Sequence, residues 1–123
     1  MMQLNRNLKR ARAKGLTVIV AQPNELQIDI DKSKALELYG WQMYMLREAK
    51  LTKGWRVRIL PSKSRGHAHI LVTMPRKMRL IERILLQTLL GSDIKREMFN
   101  YLRAKRGSKL PIVLFRRPSH VQS

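Results

Sequence analysis

The sequence predicts an α+β domain built on one antiparallel sheet. Three observations predict it. Segments of strand and helix periodicity follow one another as strand, helix, strand, strand, one or two helices, strand. Every strand-like segment mixes apolar and polar residues, as in a sheet covered on one face and open on the other. Finally, 123 residues with 44% apolar content suffice for one domain with a single core.

Residues 3–14 carry five bases and no acid, and Leu4, Leu8 and Ala11 would share one side of a short helix or basic arm ended by Gly15. Leu16-Thr-Val-Ile-Val20 is β-branched and reads as a strand. Ala21-Gln-Pro-Asn24 reads as a turn, so 16–20 and 25–31 form either a hairpin or one interrupted strand. Ser33 is the expected N-cap of a helix over 33–49, with Leu36, Tyr39, Met43 and Leu46 at helical spacing. Lys53-Gly54 ends that region, and Trp55-Arg-Val-Arg-Ile-Leu60 alternates, with Trp55, Val57 and Ile59 inward and Arg56 and Arg58 outward. The basic turn 61–66 leads into a His-containing strand over 67–74, ended by Pro75. Met78, Ile81, Ile84, Leu85 and Leu89 mark a helix over 77–90, stopped by Gly91. Ser92 would cap another over 93–105, with Ile94, Met98, Tyr101 and Leu102 as its inward stripe. Leu110-Pro-Ile-Val-Leu-Phe115 gives the last strand.

That order is βαββαβ, the ferredoxin-like or RRM-like pattern, with helices on one face of the sheet and an open basic face. The expected organisation is a basic N-terminal arm (1–15), one RRM-like domain (16–116) and a flexible C-terminal tail (117–123). In the usual 4-1-3-2 strand order the first and third strands are antiparallel neighbours at the centre.

Charge narrows the partners. With 26 bases against eight acids the formal charge is +18, which implies a polyanion, and nucleic acid fits better than a membrane surface. Such binding should weaken steeply with salt, with a log–log slope of about −0.7 to −0.9 per phosphate contacted. No apolar run reaches the ~18 residues of a membrane span, and the start lacks a secretory layout. Zero cysteines exclude disulfides, Cys-ligated zinc and thiol catalysis. An intracellular, cytoplasmic protein of a prokaryote or a viral host is expected.

Two short motifs concentrate the chemistry. In Leu26-Gln-Ile-Asp-Ile-Asp31, Leu26, Ile28 and Ile30 share one strand face, while Gln27, Asp29 and Asp31 share the other. In Gly66-His-Ala-His-Ile-Leu-Val72, His67 and His69 oppose Ala68, Ile70 and Val72. Two of only three Asp and two of three His thus fall in these motifs. On the predicted topology the Asp pair sits beside the His pair on the open face, with Arg56 and Arg58 on the adjacent edge strand. Both carboxylates are expected to be exposed. Two carboxylates at this spacing can hold Mg²⁺ or Mn²⁺, and neighbouring cations can hold phosphates.

Leu26-Gln-Ile-Asp-Ile-Asp31 resembles the first motif of the archaeo-eukaryotic primase (primase-polymerase) superfamily, hydrophobic residues followed by Asp-x-Asp. Ser62-Lys-Ser-Arg-Gly-His-Ala-His-Ile-Leu-Val72 resembles its second, a Ser/Gly/Arg turn leading to a His on a strand. The resemblance implies that Asp29 and Asp31 bind catalytic metals and that His69, or His67 if the turn is one residue shorter, contacts nucleotide phosphates. The third motif of that family is another metal-binding carboxylate on a strand; here the candidate is Asp93, expected at a helix start. The segment from Leu86 to Glu97 resembles stretches of small phage or plasmid replication proteins. Arg56, Arg58, Lys63, Arg65 and His67 would bind nucleic acid, single-stranded DNA foremost, with a nucleoside triphosphate and a protein partner as further ligands.

Three function classes follow. One is a minimal primase-polymerase-like nucleotidyltransferase. A second is a nicking enzyme, because His67-Ala-His69 also resembles the His-hydrophobic-His strand of the rolling-circle nucleases known as HUH enzymes, with Tyr101 as nucleophile. A third is a non-catalytic nucleic-acid-binding module, whose base-stacking aromatics would have to come from the central strands. Those strands offer Asp, His and Arg instead.

Overall fold

The computed structural model describes residues 9, 13–15, 17–61, 67–107 and 112–116. Five strands and three helices are described, in the order β1 (Thr17–Val20), β2 (Glu25–Ile30), α1 (Ser33–Glu48), β3 (Arg56–Pro61), β4 (Ala68–Thr73), α2 (Leu80–Leu89), α3 (Ile94–Lys105) and β5 (Val113–Arg116). The fold is α+β. The N-terminal helix or arm and the tail at 117–123 fall mostly or wholly outside the described residues.

The single 4-1-3-2 sheet expected from the sequence is replaced by two antiparallel sheets: a three-stranded one ordered β2-β4-β3, and a ribbon of β1 with β5. β1 and β2 do not pair as a hairpin. The turn through Ala21–Asn24 sends β1 to β5, while β2 pairs with β4 through Leu26↔Val72, Ile28↔Ile70 and Asp29↔His69. The central β2–β4 pairing therefore agrees with the expectation although the continuous sheet does not.

Alternation sets the register, because a one-residue slip would turn every apolar side chain to the wrong face. Leu26, Ile28, Ile30 and Ile70 are fully buried, and together with Val72, Met74, Leu90 and Tyr39 and Met43 of α1 they form the core. Each such aliphatic side chain stabilises the fold by about 1.5–3 kcal/mol. Val57 and Ile59 lie on edge strand β3 and remain exposed, contrary to the inward reading. Leu36 of α1 is likewise exposed.

Helix starts also differ from expectation. α1 is entered from Lys32 with no side-chain cap, so Ser33 begins the helix instead of capping it. Three residues shorter at its start than the periodicity suggests, α2 begins at Leu80. α3 begins after Asp93, again without a side-chain cap, because the Ser92 hydroxyl is used elsewhere.

The largest correction concerns α3. Its buried residues are Glu97 and Asn100, while Ile94, Met98, Tyr101 and Leu102, expected inward, face solvent. The cause is the outer edge of β2. A strand edge left without a neighbouring strand exposes peptide groups that need partners, and side chains from α2 and α3 supply them. The Gln27 N–H donates to Gln87 Oε1 (2.8 Å), the Asp29 N–H donates to Ser92 Oγ (3.0 Å), and Arg96 Nη1 donates to the Gln27 carbonyl (2.8 Å). Polar residues face inward here because hydrogen bonding requires it.

Glu97 closes that network. Its carboxylate accepts from Gln87 Nε2 (2.9 Å), Ser92 Oγ (2.7 Å), Asn100 Nδ2 (3.0 Å) and Arg96 Nη1 (2.8 Å). Gly91 delivers the segment to β2. Its φ of +95° lies in the left-handed region, and a Cβ there would come within 3.1 Å of the Ala35 carbonyl oxygen in the first turn of α1.

Candidate functional site

The β2–β4 register places Asp29 directly opposite His69, and Leu60 of β3 lies opposite His69 on its other side. His69 Nε2 is 3.5 Å from Asp29 Oδ1, and His67 Nδ1 is 3.2 Å from Asp31 Oδ1. The two acids and two imidazoles thus share one face of the sheet, as strand alternation predicts. Arg56 and Arg58 are exposed on β3, with Arg58 opposite Leu71 and Arg56 opposite Thr73, so they stand farther along the strands from the Asp–His pairs. Lys63 and Arg65 lie outside the described residues.

This face is not open throughout. Gln27, expected at its surface, is buried: its amide nitrogen donates to the Ile19 carbonyl (2.9 Å), and its amide oxygen accepts from Arg96 Nη2 (3.1 Å). Arg96 Nη2 also donates to the Val113 carbonyl (3.1 Å), tying the β1–β5 ribbon to β2. On β2 the accessible part of the face is therefore the end carrying Asp29 and Asp31. Exposure of both carboxylates was expected; Asp31 is half-exposed, but the Asp29 side chain is only 29% exposed.

Asp93 adds a third acid. It flanks the start of α3, and its N–H donates to the Asp29 carbonyl oxygen at 2.8 Å. Burial pushes the Asp29 carboxyl above its ordinary value of 3.8; Arg96 opposes that shift, Asp93 and Asp31 add to it, and His67 opposes it weakly. Carboxylate oxygen with imidazole nearby is donor chemistry that suits Mg²⁺ or Mn²⁺. Among the described residues, however, no group of three or more His, Asp or Glu converges as a complete metal-ligand set. Asp29 and Asp31 share the face, each beside one imidazole, and Asp93 lies within electrostatic range of Asp29.

The raised proton affinity makes Asp29 a stability cost at neutral pH. With the folded-state value above the unfolded one, the favourable contribution is full below about 3.8 and is lost as pH rises through the folded value. Asp29→Asn in chelator-treated protein should therefore raise the melting temperature at pH 7. The gain should shrink as pH falls toward 3.8. Thermal melts of both proteins across pH 4–8 read this directly, and a lower melting temperature for the variant at pH 7 contradicts the burial-cost assignment.

Tyr101, the candidate nucleophile, lies elsewhere. It lines an apolar groove between α2 and α3 with Ile81, Leu85 and Leu102, about two helical turns beyond Asp93. Sequence reasoning missed Gln27, Gln87, Ser92, Arg96, Glu97 and Asn100 as the group that fixes β2. One signal was available: Gln87 interrupts an apolar helix face three residues after Ile84.

No family model matches this chain, and no curated protein or solved structure matches it. None of the helices among the described residues is long and apolar enough to cross a membrane.

Proposed function

We propose that this protein is a nucleic-acid-binding replication domain of primase-polymerase type, in which Asp29 and Asp31 hold Mg²⁺ or Mn²⁺ and His69 contacts the phosphates of a nucleotide. One observation carries the reading. Three segments far apart in sequence meet at one end of β2: two resemble motifs of that superfamily, with Asp29 and Asp31 on the strand and His69 opposite Asp29, and the third carries Asp93, at a helix start where the family has a strand, hydrogen-bonded through its backbone to Asp29. A bound divalent cation would supply charge neutralisation for a transferred phosphoryl group. The chain's own part is to hold that cation on Asp29 and Asp31, and to orient phosphates with His69 and with bases such as Arg56 and Arg58.

The cost of burying Asp29 supports a functional role, since a carboxylate kept in an unfavourable place suggests use rather than stability. The +18 charge supports a polyanionic partner, with single-stranded DNA as the proposed substrate. We also read β1 and β2 as halves of one interrupted strand, which would make the order β5, β1/β2, β4, β3 ferredoxin-like. The Gln27–Ile19 hydrogen bond that links the halves favours this.

The nicking alternative needs a tyrosine oxygen near the His pair, and the position of Tyr101 in the α2–α3 groove weighs against it. One gel separates the readings: protein, Mn²⁺, labelled nucleoside triphosphates and single-stranded DNA. Extension products are expected, unchanged in Tyr101→Phe, since that variant loses only a hydroxyl from a groove wall. A covalent protein–DNA adduct that disappears in Tyr101→Phe selects nicking, and absence of both products leaves a binding module.

A further inference from the structure

The solvent-facing side of the α2–α3 hairpin is apolar. On α2, Ile81, Leu85 and Leu89 recur at four-residue spacing; on α3, Ile94, Met98 and Tyr101 recur at four and three. All six are between 45% and 61% exposed. Five of them, all but Leu89, line a groove of about 430 Å³ whose lining contains no Lys or Arg, in a chain carrying 26 of them. Its one acid, Glu97, is buried and already takes hydrogen bonds from Gln87, Ser92, Asn100 and Arg96.

We propose that this face is where a second copy of the chain docks, hairpin against hairpin about a two-fold axis, as a four-helix layer. Area supports it. The six residues, each 45–61% exposed, together expose on the order of 600 Å², against about 800 Å² per partner in a standard interface. That lies at the top of the range of the largest apolar patch on most monomers, roughly 300–600 Å². Geometry supports it as well: with 10 and 12 residues, the helices are about 15 and 18 Å long, so one hairpin overlays another along its full length. Stripes at three- and four-residue spacing are those that interdigitate in bundles.

Charge selects the occupant. An acidic partner recruited by the basic chain would seek its lysines and arginines, and this groove offers none among its lining residues. A second copy brings an identical uncharged stripe, and a two-fold contact requires such self-complementarity. The cost is like-charge repulsion between two strongly basic chains, which salt screens. Dimerisation should therefore tighten as salt rises, opposite in sign to nucleic-acid binding.

Analytical ultracentrifugation of the full, nuclease-treated chain from 1 to 200 µM, at 0.15 and 0.5 M NaCl, tests this. Wild type should approach twice the 14.5 kDa monomer mass, with a lower dissociation constant at the higher salt. Leu85→Glu and Met98→Glu alter side chains exposed in the monomer, so circular dichroism should be unchanged while each weakens association at least tenfold. Ile59→Glu, on edge strand β3, should leave the dimer intact. A monomer throughout the range, or a dimer that survives both helix variants, or one broken only by Ile59→Glu, overturns the proposal. The mass readout does not depend on any catalytic activity.

Discussion

Glu97→Ala should cost about 3–5 kcal/mol of stability, because it leaves a largely buried Arg96 without its carboxylate partner. The Arg96 side chain is 13% exposed and Glu97 2% exposed, so solvent cannot replace the lost partner. Gln87, Ser92 and Asn100 lose the same acceptor, and an unsatisfied buried donor is costlier than the net worth of the bond it made. In a domain of this size the melting temperature should fall on the order of 10–20 °C. Glu97→Gln keeps the shape and one acceptor oxygen but turns an amide donor toward other donors, so an intermediate loss is expected. Urea unfolding of the three proteins measures the series, and a loss below about 1 kcal/mol for Glu97→Ala would remove the network from its place in the fold.

The consequence reaches the candidate site. Ser92 and Asp93 hold the backbone of Asp29 from outside the sheet, and Arg96 holds that of Gln27 two residues earlier. These contacts fix the strand on which the Asp pair stands. If Asp29 and Asp31 hold a metal as proposed, a folded variant with a loosened network should bind it more weakly.

Much of this was legible in the sequence, for physical reasons that differ by element. Burial of Leu26, Ile28 and Ile30 against Ile70 and Val72 fixes which face each strand turns to the core, so the acids and the imidazoles share the opposite face, where the observed register sets Asp29 opposite His69. Alternation was therefore enough to put the acids and the imidazoles on one face. Its failure at α3 has a definite cause. Hydrophobic periodicity assumes that the buried side of a helix is its apolar side, yet the peptide groups of Gln27 and Asp29 demand polar partners, so Gln87, Glu97 and Asn100 turn inward and Ile94 and Met98 turn out. The break at Ala21–Asn24 was visible as a turn, but which neighbour each half-strand takes depends on long-range pairing with β4 and β5. Likewise, the burial of Gln27 comes from Arg96 and from the ribbon tied to it at the Gln27 end of the face.

The second large effect concerns Asp29 and Asp31 together. Removing both charges by Asp29→Asn with Asp31→Asn eliminates the proposed metal-binding carboxylates while leaving the core residues Leu26, Ile28 and Ile30 untouched. Because burial of Asp29 is a cost at neutral pH, the double variant should remain folded, so a lost function is not a lost fold. The decisive measurement is a calorimetric titration of Mn²⁺ into the full chain with single-stranded DNA, alone and with a nucleoside triphosphate, each corrected against a protein-free blank. Saturable Mn²⁺ binding is expected for wild type and none for the double variant at equal helix content. Wild-type protein that takes up no Mn²⁺ under either condition, or a double variant that binds it as well as wild type, would contradict the assignment of Asp29 and Asp31 as the metal seat.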